Sequence, residues 1–189
     1  MNKAQIIESV SVQMPERRWI HTQGVMSTAI ELAKRYGENP ERAELAAIIH
    51  DVAKYWPVAE QAAYIKQYSL DEQVLQYNKE LWHAEVGASV AKEKYGVHDS
   101  EICDAIRYHT SGRANMTLIE KIVWLADYIE PNRDFPGVNE ARALAETSLE
   151  RAILFGLDQT IVFLIEKGKI VYPVTIEARN SIVQQLNMK

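Results

Sequence analysis

A chain of 189 residues with 47% hydrophobic and 25% charged residues has the balance of an ordinary globular protein and is long enough to bury a substantial core. Its formal charge of −5 comes without basic clusters, which argues against a face built to grip polymeric nucleic acid. A small anionic ligand stays open, because a bound metal supplies positive charge locally. The lone Cys103 has no partner for an internal disulfide and reads as a small core residue in a reducing compartment. The opening MNKAQIIESVSVQM lacks the apolar core of a signal peptide, and the runs TIVFLI and KIVWLA are too short to span a bilayer. The expectation is one domain over residues 1–189, cytoplasmic, with no membrane partner; the oligomeric state is not legible.

The sequence predicts helices almost throughout. NKAQIIESVSVQM carries a short helical apolar rhythm. PERRWIHTQGVMSTAIELAKRYG begins at Pro15, ends at Gly37 and spaces Trp19, Val25, Ile30 and Leu32 roughly by turns. NPERAELAAIIHDVAKYW takes Asn39 as its cap and Pro40 as its first helical residue, and is expected to run on until Pro57. PVAEQAAYIKQYS is a further helix, and DEQVLQYNKELWHAEVGASVAKEKYG is one helix or two, ended by Gly96. DSEICDAIRYH opens on an acidic cap, and TLIEKIVWLADYIE opens on Thr117 and Glu120, spaced as a capping box, and stops at Pro131. NEARALAETSLERAILFGLDQTIVFLIEKGK is long, with Gly156 as its candidate break. KGKIVYP is the only strand-like piece, and TIEARNSIVQQLNMK closes the chain as a helix. The loop EPNRDFPGVN is the one long connection rich in Pro, Gly and Asn, the kind of segment that often carries function. Trp56, Trp82 and Trp124 sit in apolar patterns and are expected to pack in the core.

Five histidines occur, and any one of them alone is more often a satisfied structural residue than a ligand. His98, after the helix-ending Gly96, keeps that reading. His21, with Gly24, Val25 and Thr28, lies on a small or apolar helix face; His50 shares one with Ala46, Ala47 and Lys54. His83 precedes the small-residue stripe Ala84, Gly87, Ala88 and Ala91, and His109 ends a helix whose inner face holds Ile102, Ala105 and Ile106. Asp127 follows Val123 and Trp124 by one turn, and unpaired there it would cost on the order of several kcal/mol. Asp51 sits beside His50 in the apolar run AAIIHDVAKYW, where two buried polar groups need partners. Helical bundles gather metal ligands on such faces, and divalent ions satisfy His21, His50, Asp51, His83, His109 and Asp127 together. A carboxylate has two oxygens for two metals and an imidazole one nitrogen for one, so Asp51 is the natural bridge. Mixed nitrogen and oxygen donors suit iron, manganese or zinc, while the lack of thiolates argues against a structural zinc knot.

The ordered pattern WIHTQGV, IIHDVAK, LWHAEVGA, RYHTSG, LADYIEPNRDFPGV resembles the HD-domain metal-dependent phosphohydrolases. The resemblance runs from RRWIHTQGV to KIVYPVTIEARN and is closer to the bacterial HD-domain symmetrical dinucleoside-tetraphosphatases, the YqeK-type family. It implies an all-α helical bundle with a dinuclear metal site, often of iron, with manganese or cobalt as alternatives. His21, His50, Asp51 and Asp127 would hold one ion, and Asp51, His83 and His109 the other. It also implies a small nucleotide substrate, diadenosine tetraphosphate, hydrolysed at its centre by a metal-activated hydroxide to give two ADP.

Around that centre, Asp51 and Lys54 are the candidate catalytic pair, with Lys54 one turn after His50. Arg133 suits a bidentate grip on phosphate, and Arg18 lies one turn before His21. Tyr172, Arg179 and Asn180 are candidates for the nucleoside side. The rival readings are a nucleotidase, a deoxynucleoside-triphosphate hydrolase, a non-catalytic nucleotide sensor, or a plain bundle with core histidines. Cyclic-dinucleotide cleavage is discounted because TSGRANM follows His109 where that activity carries a Gly-Tyr-Pro signature.

Overall fold

The computed structural model describes residues 1–188, and they form ten α-helices. α1 (Lys3–Ser11) opens with a capping box between Asn2 and Gln5. α2 (Glu16–Tyr36) starts after Pro15 and ends on Gly37, whose positive φ of 82° closes the helix. α3 (Pro40–Ile49) is capped by the Asn39 side chain, and α4 (Val58–Gln67) follows Pro57. Two short 3₁₀ turns, Glu72–Gln76 and Lys79–Leu81, lead into α5 (Trp82–Glu93). α6 (Ser100–Arg107) has Asp99 as its cap, and α7 (Leu118–Ile129) stops before Pro131. α8 (Val138–Ala145), α9 (Leu149–Glu166) and α10 (Pro173–Asn187) complete the bundle.

Several expectations change. No strand forms among the described residues, and KIVYP runs as an irregular link into α10, with Ile170 exposed. The helix from Asn39 ends at Ile49 instead of reaching Pro57. Thr117 begins α7 without a side-chain cap; its hydroxyl meets Glu120, whose carboxylate is taken by Arg113 at 2.6 and 2.8 Å. The long C-terminal pattern breaks at Ser148, which caps α9, and not at Gly156. Gly156 lies within continuous α9, and a Cβ there would lie 2.8 Å from the Trp124 ring and 3.1 Å from that of Tyr128; its bareness lets α9 close on α7.

Helix α7 is central, packed against α2, α3, α6, α8 and α9. One core, around Ile48, Ile49, Val86 and Ile106, joins α1, α3, α5 and α6. A second, around Leu125, Ile153, Leu157 and Ile182, joins α2 and α7 to the last three helices. Trp124 is buried in the second core, while Trp56 and Trp82 pack on the first, as packing residues should. No helix among the described residues is long and apolar enough to cross a membrane. The early part of α2, the end of α3, the start of α5 and the ends of α6 and α7 carry the polar residues considered next.

Candidate metal centre

The end of α3 shapes the centre. The His50 N–H still donates to the Ala46 carbonyl at 2.9 Å, but the chain then tightens into turns, with bonds from Val52 to Ile49, Lys54 to Asp51 and Trp56 to Ala53. His50 and Asp51 are both buried, His50 as the C-cap of α3 and Asp51 in the turn just beyond it. The His50 Nδ1 donates to the Ala47 carbonyl at 2.7 Å and the His109 Nδ1 to the Ile106 carbonyl at 2.7 Å. A carbonyl only accepts, so in each ring the Nε2 keeps a free lone pair in the neutral state.

Asp51 lies between two pairs of imidazoles. Its Oδ2 is 3.2 Å from His50 Nε2 and 3.8 Å from His21 Nε2. Its Oδ1 is 3.0 Å from His83 Nε2 and 3.7 Å from His109 Nε2. The His83 and His109 Nε2 atoms are 3.2 Å apart. Asp127 Oδ1 joins the first pair, 3.0 Å from His21 Nε2. That contact is close but not aligned as a hydrogen bond, since His21 Nε2 and His50 Nε2 are buried without any hydrogen-bond partner. Orphaned buried nitrogens facing carboxylate oxygens are what a cation satisfies. His21, His50 and Asp51 form one group of candidate ligands and Asp51, His83 and His109 another, so the residues fit divalent ions.

Electrostatics agree with ligand chemistry. Burial opposes ionisation of Asp51, yet His50, His109 and His83 hold its carboxyl well below the usual range. Burial works likewise against Asp127, and His21, Arg133 and His50 overcome it, keeping Asp127 strongly acidic. Burial pushes the His83 imidazole down to about 4, so it is neutral near pH 7. His50 goes the other way: burial resists its charging, but Asp51 and Asp127 raise it.

The candidate cations lie around these carboxylates. Arg18 Nη1 donates to Asp51 Oδ2 at 2.9 Å. Arg133 donates from Nη2 to Asp127 Oδ1 at 2.7 Å and from Nε to the Asp127 carbonyl at 2.9 Å. Lys54 pairs with Glu80 at 2.8 Å, and its charge helps to depress His83. Arg18, Arg133, His21 and Tyr55 line a cleft of about 650 Å³. Tyr172 lines another, of about 500 Å³, together with Arg107, Arg113 and Tyr108. Its ring lies 4.7 Å from that of Tyr77, and burial pushes its phenol up to about 12. Asn180 and Arg179 are not brought to the centre. Asn180 is exposed on α10, accepts from Arg179 at 3.3 Å and lines neither cleft; Arg179 pairs with Asp158. His98 is exposed.

Two residues escape the sequence reading. Glu130, buried at the end of α7, accepts a hydrogen bond from His21 Nδ1. Arg142 on α8 donates to the carbonyls of Ile129, Glu130 and Arg133, pinning the Pro-rich loop. The signals were present: Gly24 one turn after His21, and a carboxylate closing an apolar helix in YIEPNR.

A helical bundle that draws four histidines and two aspartates from five segments into one buried centre defines a metal-binding class, and the chain belongs to the HD-domain family, whose match covers residues 18–132. Over 97% of its length and 98% of the relative's, the chain is 50% identical to the Bacillus subtilis strain 168 protein named bis(5'-nucleosyl)-tetraphosphatase, symmetrical. It is 39% identical to the protein of that name from Staphylococcus aureus strain NCTC 8325, over 89% of this chain and 88% of the relative. Among solved structures it is similar to a crystal structure from Clostridium acetobutylicum described as a predicted HD superfamily hydrolase involved in NAD metabolism. That likeness has a TM-score of 0.93 at 38% identity and covers 98% of both chains.

Proposed function

We propose that this chain is a metal-dependent phosphohydrolase that cleaves dinucleoside tetraphosphates symmetrically, converting diadenosine tetraphosphate to two ADP. One observation carries the chemistry: Asp51, a single buried carboxylate, turns each of its oxygens to a different pair of imidazole nitrogens. The substrate is supported by the relatives of 39% to 50% identity that bear that activity in their names.

In this reading residues 1–189 form one catalytic domain. His21, His50, Asp51 and Asp127 hold one divalent ion, and Asp51, His83 and His109 hold a second. Iron is the first choice of metal, with manganese or cobalt as alternatives. Bound divalent ions supply an acidified water and draw phosphate oxygens. The remaining work belongs to the chain's own groups. His50 and His109 keep their Nε2 lone pairs aimed inward through their backbone carbonyl bonds. Arg18 and Arg133, at the first cleft, receive phosphate oxygens, Arg133 with the planar fork that suits two at once. Lys54 offsets the charge of the departing ADP. The two clefts accept the two nucleoside halves, with Tyr172 on the wall of the second.

A panel of dinucleoside polyphosphates, mononucleotides and NAD, run with iron, manganese and cobalt, tests this reading. ADP as the sole product of diadenosine tetraphosphate supports it; ATP plus AMP rejects symmetrical cleavage. Faster turnover of a mononucleotide or of NAD moves the chain to another substrate class.

A further inference from the structure

The geometry points to Glu130 as a positioning residue that ties the ligand His21 to the loop carrying Arg133. The inference rests on the metal-centre reading above but not on the identity of the substrate. Glu130 is only 1% exposed, in a place where a carboxylate needs partners. Its Oε1 accepts from His21 Nδ1 at 3.1 Å. Its Oε2 accepts from the Asn132 backbone N–H at 2.8 Å and from Asn132 Nδ2 at 3.0 Å. One side chain thus joins α2 to the first turn of the loop, and Arg133 follows directly.

The first consequence is tautomeric. A carboxylate at Nδ1 fixes the proton there and leaves the lone pair on His21 Nε2, the atom that faces Asp127 and Asp51. The second is steric. Gly24, one turn along α2 from His21, is the notch that receives Glu130: a Cβ at position 24 would stand 2.2 Å from Glu130 Oε2 and 3.2 Å from Asn132 Nδ2. Gly24 is therefore required by the carboxylate and not by its own backbone, which is regular helix. The third is mechanical. Arg142 holds the Glu130 and Arg133 carbonyls, so the loop is anchored from both sides while the Arg133 side chain stays on Asp127.

All three groups facing Glu130 are N–H donors, and two acceptor oxygens serve them. Glutamine has one acceptor, so Glu130→Gln sets an amide N–H₂ against at least one donor with little change of shape. Gly24→Ala displaces Glu130 while leaving its chemistry intact. Asn132→Ala removes the Nδ2 bond on the loop side and keeps the backbone N–H bond.

Metal retention is read by iron or manganese loss to a chelator, and the His21 tautomer by long-range ¹⁵N correlation on metal-free protein. Glu130→Gln and Gly24→Ala are both expected to lose metal about tenfold to a hundredfold more readily than wild type, and to lose the Nδ1-protonated signature of His21. Asn132→Ala is expected to keep the metal and to raise KM for the nucleotide while kcat holds. Wild-type retention in both Glu130→Gln and Gly24→Ala, or an unchanged Nδ1-protonated His21 in Glu130→Gln, overturns the inference. If wild-type protein itself binds no metal, both this inference and the metal-centre reading fail. If wild type binds metal and the variants match it, only the role of Glu130 fails.

Discussion

Replacing Asp51 by alanine probes the centre at its hinge. Asp51 is 3% exposed and meets Arg18, His21, His50, His83 and His109 within 3.8 Å. Truncating it removes one ligand from each of the two groups, leaving two imidazoles on one side of the centre and a reduced set with Asp127 on the other. A reaction that needs both groups then loses at least about a thousandfold in kcat, roughly 4 kcal/mol of barrier. The cost to folding is smaller. Breaking a buried ion pair costs about 3–5 kcal/mol when the surviving charge is sealed in, but the Arg18 side chain is 22% exposed and borders the cleft. Solvent takes up much of that charge, so about 1–2 kcal/mol is expected, and the helices persist. The assay is ADP release by chromatography with circular dichroism alongside, and His98→Ala, at an exposed histidine outside the centre, serves as the control. Activity of Asp51→Ala within about tenfold of wild type, roughly 1.4 kcal/mol, refutes the bridging role.

Arg133→Lys keeps a charge but loses the fork that spans the Asp127 side chain and carbonyl; KM for the tetraphosphate is expected to rise about tenfold, and an unchanged KM contradicts a phosphate contact. Gly156→Ala sets a methyl against Trp124 and Tyr128, costing about 1–3 kcal/mol in overpacking against up to about 1 kcal/mol regained in helix propensity; thermal melting is expected several degrees lower, and an equal or higher midpoint refutes the close approach. Chelation of metal-loaded protein is expected to lower the melting midpoint and re-addition to restore it, since free ion at a hundred times its Kd stabilises by about 2.7 kcal/mol; a midpoint indifferent to metal contradicts a site that exists only in the folded chain.

The helical class was legible because apolar periodicity and end signals agree: Asn39 before Pro40, Gly37 after Tyr36 and Pro131 after α7 all mark true boundaries. Where the reading failed, tertiary partners outweighed local pattern. Thr117 and Glu120 have the spacing of a capping box, but Arg113 from the preceding loop takes the carboxylate. Gly156 looks like a break and is a packing notch. The helix through His50 has uninterrupted apolar periodicity, yet α3 ends at Ile49 and the backbone tightens into successive turns from there to Trp56.

In the centre, the six proposed ligands were readable because each polar residue interrupts an apolar or small-residue stretch, and their convergence within a few ångströms bears on the metal reading directly. The arginines were readable only as neighbours in sequence; that Arg18 reaches Asp51 and Arg133 folds onto Asp127 follows from how α2, α3 and α7 meet. Glu130 was missed for the same reason. Its partner His21 lies 109 residues away in the chain, and no local spacing connects them. Asn180 was carried by its segment alone, and the α10 surface gives it no route to the centre.

Anomalous diffraction from crystals grown with manganese or iron gives the sharpest check of the central claim. Two peaks are expected, one beside His21, His50 and Asp127 and the other beside His83 and His109, with the Asp51 carboxylate between them. Anomalous density elsewhere in the molecule, with these side chains hydrogen-bonded only to one another and to solvent, contradicts the account.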